Sequence, residues 1–147
     1  LGADTIIYSG QKDEGFESSI TKVVDRFGGK FSIRFSDSWK KTIQFYKKKK
    51  FSIVHLTVYG LPVQSQITKL KKIKNLLLII GGEKVPWEVY QLSDYNISVT
   101  NQPHSEVSAL SVFLDRYFSG KELDKKFSKP KIKIMPEAKG KKVVNLG

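Results

Sequence analysis

Hydrophobic and polar positions along the chain switch repeatedly between two periods. Thr5-Ile6-Ile7-Tyr8 is a short β-branched run and reads as a strand. From Phe16 to Phe27, Ile20, Val23, Val24 and Phe27 recur at helical spacing, and Gly28-Gly29 ends the helix they predict. Phe31 to Phe35 alternates as a strand. Asp37 or Ser38 is placed to cap a helix carrying Trp39, Ile43, Phe45 and Tyr46. Ser52 to Val58 forms the next strand, closed by Tyr59-Gly60, and Val63, Ile67, Leu70 and Ile73 mark a helix. Leu76 to Ile80 is apolar throughout, as expected of a strand buried on both faces. Pro86 opens a short helix over Trp87 to Leu92, and Asn96 to Val99 is a further strand. Ser105 then sits as an N-cap with Glu106 in the first turn, where the helix dipole favours an acid. Along that last helix Val107, Leu110, Leu114 and Tyr117 form an apolar stripe, bordered by the small residues Ser108, Ala109 and Ser111. Strands alternating with helices predict an α/β fold: a parallel sheet covered by helices on both faces.

The pattern changes after Gly120. Lys121 to Lys142 holds nine lysines and three acids. Ile132-Lys133-Ile134 and Val143-Val144 can pair across Glu137-Ala138-Lys139-Gly140 as a short basic β-hairpin. Residues 1–120 are therefore expected to form the α/β part and 121–147 a basic C-terminal extension. Leu1-Gly2-Ala3-Asp4 reads like the end of a helix running into a strand, so a strand–helix unit is expected upstream of Leu1.

Charge narrows the choice of partner. The chain has 147 residues and a net charge of +12, with 26 Lys and Arg against 14 Asp and Glu. Only Arg26, Arg34 and Arg116 are arginines. Such an excess suits a polyanion such as nucleic acid, or an anionic membrane surface. No cysteine is present, which removes disulfides and thiolate metal sites. The longest apolar run, Leu76 to Ile80, is too short to span a bilayer, and no secretory signal opens the chain. A cytoplasmic protein is expected.

In open α/β sheets ligands bind at the carboxyl ends of the strands. Three such ends carry unusual residues: His55 to Gly60, Ile80 to Pro86, and Thr100 to Glu106. Glycines there let a ligand approach the backbone, although Gly81-Gly82 alone reads more readily as a simple turn. The phosphate-loop pattern and the dinucleotide fingerprint are both missing, which argues against nucleotide hydrolysis, nicotinamide chemistry and the Rossmann-type methyltransferases. His55 lies in an apolar strand and reads as a satisfied core residue. His104 and Glu106 have no third partner in the sequence, so no metal site is expected.

Three stretches together carry a resemblance: "VHLTVYGL", "IIGGEKVPWEVYQLSDYNISVTNQPHSEVSALSVFLDR" and "KIKIMPEAKGKKVV". They resemble the archaeal tRNA ribose 2′-O-methyltransferases of the SPOUT class that modify cytidine-56 in the T-loop. The resemblance implies a C-terminal trefoil knot, S-adenosyl-L-methionine as methyl donor, tRNA as substrate, and a homodimer built on the last helix. It implies a cofactor pocket made of Leu56, then Gly81, Gly82, Glu83, Lys84 and Val85, then Val99, Thr100, Asn101, Gln102, Pro103, His104, Ser105 and Glu106, with help from Tyr59 and Gly60. Lys129, Lys131, Lys133, Lys139, Lys141 and Lys142 are expected to contact RNA phosphates. Related knotted ribose methyltransferases use an arginine from an early segment to help deprotonate the 2′-hydroxyl. Arg26, Arg34 and Arg116 do not match it, so no catalytic residue is assigned, and the base is expected in a segment preceding Leu1. The alternative from another class is a non-catalytic RNA-binding protein with a flavodoxin-like sheet.

Overall fold

The computed structural model describes residues 1–82 and 84–147. In chain order the elements are β1 (Thr5–Tyr8), α1 (Glu14–Phe27), β2 (Ser32–Phe35), α2 (Trp39–Lys48), β3 (Ser52–Pro62), α3 (Val63–Leu70), β4 (Leu76–Ile80), α4 (Trp87–Leu92), β5 (Tyr95–Ser98), α5 (Glu106–Phe118), β6 (Ile132–Met135) and β7 (Lys142–Asn145). The chain gathers into two compact units, one of residues 1–2 and 38–124, the other of residues 3–37 and 125–147.

The first unit is built on a parallel sheet of order β4-β3-β5. Side chains alternate across β3, and that alternation divides the unit into layers. Val54 and Leu56 point into a core with Val63 and Leu70 of α3, Ile97 of β5, and Phe113 and Leu114 of α5. On the opposite face His55 meets the ring of Tyr90 on α4 edge-on, centroids 4.7 Å apart. Helices therefore cover this sheet on both sides. Phe113 is fully buried, and its truncation to alanine costs about 3–5 kcal/mol.

Two expectations change here. Leu76 to Ile80 is only half-buried, with Ile80 38% exposed. Among the described residues β4 pairs with β3 alone, so it is an edge strand, and the central strand β3 carries the full burial. The stripe on α5 also divides. Leu114 is buried and Leu110 and Tyr117 pack on the core, while Val107 is 73% exposed. The helix buries Ala109 and Phe113 instead.

The second unit holds a separate parallel pair, β1 with β2, in register from Thr5↔Ser32 to Tyr8↔Phe35. The expected single sheet is thus divided among the described residues, because these two four-residue strands bond only to each other. Asp13 caps α1 by accepting from Phe16 N at 2.8 Å, and Tyr8 Oη donates to Glu17 Oε1 at 2.8 Å. Strands β6 and β7 pair antiparallel, Ile132↔Asn145 to Met135↔Lys142. Gly28 ends α1 at φ 79°, and a Cβ there would lie 2.4 Å from Ser128 O. Only glycine suits that φ together with so close an approach.

Candidate functional site

Strand β3 runs beyond its neighbours, and that overrun builds the site. Its pairing with β5 reaches Leu56↔Ile97, breaks, and resumes at Leu61↔Ile97 and Pro62↔Ser98. Residues 57–60 therefore loop out of the ladder. At Gly60 a Cβ would lie 2.4 Å from Ile97 N and 2.5 Å from Asn96 C, so the loop presses directly on the backbone of β5. Asn101 closes it from the far side. Its Nδ2 donates to Val58 O at 2.5 Å, with Gly60 O at 3.4 Å and Ser98 Oγ at 3.2 Å. The amide nitrogen of Asn101 thus holds two strand-end loops together.

The other expected pocket residues lie around this junction. Leu56 is buried on β3, and its register partner Ile80 leads into Gly81 and Gly82. A Cβ on Gly81 would lie 2.0 Å from Val85 Cγ2, whereas one on Gly82 meets nothing within 4 Å. Gly82 and Lys84 are exposed and Val85 half-buried. Glu83 lies outside the described residues. After β5, Val99 packs on the core and Thr100 Oγ1 accepts from Gln102 N at 3.3 Å. Gln102 and Pro103 are exposed. Ser105 caps α5 by accepting from Ser108 N at 3.1 Å, and Glu106 is exposed in the first turn. His104 Nδ1 lies 3.1 Å from Ser105 O, while its Nε2 is buried with no hydrogen-bond partner.

His55 is only half satisfied, contrary to the expectation. Asn96 Nδ2 donates to Tyr90 O at 3.0 Å, which leaves Asn96 Oδ1 as an acceptor 2.9 Å from His55 Nδ1. The proton therefore belongs on Nδ1, and Nε2 is a buried acceptor without a partner. Burial pushes the imidazole below its ordinary pKa, partly opposed by the Asn96 bond and the negative charge of Glu106.

Beside the loop opens a shallow cleft of about 570 Å³ lined by Tyr59, Trp87, Tyr90, Gln91 and Asn96. Tyr59 is 82% and Trp87 68% exposed. Trp87 stacks on Tyr90 (5.6 Å, 23°), and Tyr90 Oη is 3.3 Å from Thr57 Oγ1, so the aromatic shelf is braced from below. Sequence reasoning missed Trp87 and Tyr90. The available signal was a large aromatic directly after the Gly81–Pro86 strand-end segment.

In the second unit the hairpin displays its lysines to solvent. Lys133 and Lys142 share one face, by the pairings Lys133↔Val144 and Met135↔Lys142. Lys129, Lys139 and Lys141 flank the strands and are exposed. Lys131 is held by Asp25, at 2.7 and 2.8 Å to its two carboxylate oxygens. Among the described residues no group of three or more His, Asp or Glu gathers to hold a metal, and no helix is long and apolar enough to cross a membrane.

Residues 27–144 match the family model described as tRNA ribose 2′-O-methyltransferase, aTrm56. The chain belongs to this family. It is 49% identical to the tRNA (cytidine(56)-2′-O)-methyltransferase of Thermococcus kodakarensis, over 99% of this chain and 83% of that protein. The proteins of the same name from Pyrococcus horikoshii and Methanopyrus kandleri are 50% and 45% identical over 99% of this chain, and over 72% and 82% of their own lengths. Among solved structures the chain is similar to the SpoU methyltransferase AviRb from Streptomyces viridochromogenes, in complex with the cofactor AdoMet. That likeness has a TM-score of 0.60 at 15% identity, over 84% of this chain and 52% of the other, and shows the fold. The overrun of β3, the Gly60 contact and the Asn101 closure all lie within the stretch that the family model matches.

Proposed function

We propose that this aTrm56-family chain transfers a methyl group from S-adenosyl-L-methionine to the 2′-hydroxyl of cytidine-56 in the T-loop of tRNA. The observation that carries this is the family match, which spans the loop junction at Gly60 and Asn101 as well as the basic hairpin. The junction fits an adenosyl group. It offers strand-end backbone at Gly81 and Gly82, open space over Gly82, and the buried, unpartnered Nε2 of His104.

When bound, the cofactor supplies a methyl group already activated by its sulfonium. Held by Leu56, Gly81, Gly82 and Asn101 to Glu106, it would supply that methyl group to the ribose hydroxyl oxygen, with the carbon–sulfur bond giving way and the hydroxyl proton passing to solvent or a base. What this chain's residues contribute is position, which accounts for much of the rate in such a transfer. Asn101 and Gly60 fix the two loops, and Leu56, Gly81, Gly82, Lys84, Val85 and Val99 to Glu106 form the pocket wall, as a trefoil knot would have them. The shelf of Tyr59 and Trp87 takes the face of an unstacked base, which is how single-stranded RNA loops are held. Residues 121–147 act as a basic extension whose lysines contact phosphates, and they set position without reading sequence. The working form is a cytoplasmic homodimer joined through α5.

The test uses titration calorimetry with S-adenosyl-L-methionine, then transfer of a labelled methyl group to tRNA. Expected are saturable cofactor binding and labelling that disappears when nucleotide 56 is 2′-deoxycytidine. Tight tRNA binding without cofactor binding would favour the non-catalytic RNA-binding alternative instead.

A further inference from the structure

The strongest unassigned charge lies at the opposite end of the same sheet. Strands β3 and β4 are parallel neighbours, so the segments feeding them enter side by side, and Ser52 N donates to Asn75 O at 2.9 Å across that entrance. One segment carries Lys47, Lys48, Lys49 and Lys50; the other carries Lys69, Lys71, Lys72 and Lys74. Folding thus brings eight lysines from two distant runs to one edge. Among the described residues a single ion pair answers them, Lys47 Nζ to Asp94 Oδ1 at 3.5 Å. Asp94 is itself occupied, because its Oδ2 accepts from Ile53 N at 2.7 Å. Lys71 donates to Ser119 Oγ at 2.8 Å, Lys69 lies over the Tyr95 ring at 5.0 Å and Lys49 over Phe45 at 5.8 Å. Lys48, Lys50, Lys72 and Lys74 make no side-chain hydrogen bond, ion pair or ring contact among the described residues.

A purely solvated face normally mixes both signs, since like charges held together repel. Here aromatic rings are interleaved with the lysines. Phe45 is exposed and stands at the end of an edge-to-face chain through Tyr46 to Phe51, with centroids 5.3 and 4.9 Å apart. Lysines among aromatic faces suit a nucleic-acid strand, whose phosphates and bases both find partners. We propose that this amino-end edge is a second phosphate-binding surface, which grips the substrate RNA away from the nucleotide that reacts. This rests on the tRNA reading above. Strand β4, five residues long, separates the edge from the Gly81 loop by about 16 Å at roughly 3.3 Å per residue. Only an RNA extending well past the reactive nucleotide reaches both ends.

The test compares the wild-type chain with Lys48→Gln/Lys72→Gln/Lys74→Gln, which alters exposed side chains without partners. Affinity for full-length tRNA is measured across a salt series. The variant's slope of log affinity against log salt should be flatter by about two to three units, at roughly 0.7–0.9 per lost phosphate contact. Its affinity for S-adenosyl-L-methionine should be unchanged, and its kcat at saturating tRNA should be retained while KM rises. A wild-type chain that binds tRNA with a slope the variant leaves intact overturns the edge alone. A wild-type chain that binds no tRNA overturns the underlying reading as well. Vesicles with anionic headgroups provide the other arm: if the variant loses vesicle binding but keeps the wild-type tRNA slope, the edge is a membrane surface and the proposal is wrong.

Discussion

The side-chain amide of Asn101 donates to the carbonyl oxygen of Val58 at 2.5 Å, joining the loop after β5 to the loop that leaves β3. The two residues are 43 positions apart, and Nδ2 also reaches Gly60 O and Ser98 Oγ. Replacing Asn101 with Asp removes the donor and sets a carboxylate against two carbonyls. Loss of such a hydrogen bond costs about 0.5–1.5 kcal/mol of stability, which the fold can absorb. Cofactor binding should suffer far more, because the loops are no longer fixed. Calorimetry should show affinity for S-adenosyl-L-methionine reduced at least tenfold, with the far-ultraviolet circular dichroism unchanged. Equal affinity would mean the closure is incidental to the pocket.

Gly60 and Gly82 should separate steric from functional glycines. A Cβ at Gly60 strikes the backbone of Asn96 and Ile97, whereas one at Gly82 meets open space. Gly60→Ala therefore forces β5 and the loop apart and should cost about 1–3 kcal/mol, as overpacking does. Gly82→Val leaves the fold intact and should remove cofactor affinity by covering exposed backbone. Urea midpoints distinguish them: lowered for Gly60→Ala, unchanged for Gly82→Val. If Gly82→Val binds cofactor normally, the segment after β4 is not part of the pocket.

The order of strands and helices was legible because each element carries its own periodicity and its own stop signal. Ser38 and Ser105 cap as their positions predict, and Gly28 ends α1. What stayed hidden depends on residues far apart in sequence. The uninterrupted run Leu76 to Ile80 shows hydrophobicity but not its number of neighbours, so it reads as a doubly buried strand although β4 lies at the edge of its sheet among the described residues. The closure by Asn101 needs the loop out of β3, and nothing in "VYGLP" announces a break in pairing with β5. The edge lysines read as two separate charge runs until β3 and β4 pair. The family resemblance supplied the pocket segments; it did not foretell that the Asn101 amide ties the loop after β5 to Val58 and Gly60.

Trp87 should matter to RNA and not to cofactor. Its ring lies on Tyr90, which Thr57 braces, and one face remains in the open cleft beside Tyr59. Trp87→Ala removes a stacking surface worth about 1–3 kcal/mol per base. The expected result is a raised KM for tRNA, with calorimetric affinity for S-adenosyl-L-methionine unaltered. An unchanged KM would assign the shelf to something other than the substrate base.

His55 should make stability depend on pH. Burial lowers its pKa in the folded chain below the usual value of about 6.5. Below that pH the unfolded chain binds the proton more readily than the folded one, so stability falls as pH drops from about 7 toward the folded-state pKa. Above the unfolded pKa the contribution is complete and flat. Urea denaturation from pH 8 to pH 5 should show this decline, and His55→Gln should flatten it while preserving a polar partner for Asn96. A wild-type profile that rises on acidification would contradict the buried neutral imidazole.

Helix α5 offers the last test, because its two faces have different duties. Ala109, Phe113 and Leu114 are buried in the chain's own core, so Leu114→Ala would cost about 2–5 kcal/mol whether or not a partner exists. Away from that core α5 exposes Val107, Ser108 and Val112, with Val112 39% exposed. At about 100° per residue Ser108 and Val112 stand side by side and Val107 borders the same half of the helix, a surface open to a self-complementary contact across a two-fold axis. Val107→Gln/Val112→Gln keeps good helix formers at exposed positions and leaves the core alone, so the monomer should remain folded. Sedimentation should then show a dimeric wild type and a folded, monomeric variant. If a single subunit suffices for the pocket, the monomeric variant retains cofactor affinity; if the partner completes it, affinity falls with the dimer. A variant that stays dimeric, or a wild type that is monomeric throughout, would place the subunit contact away from α5.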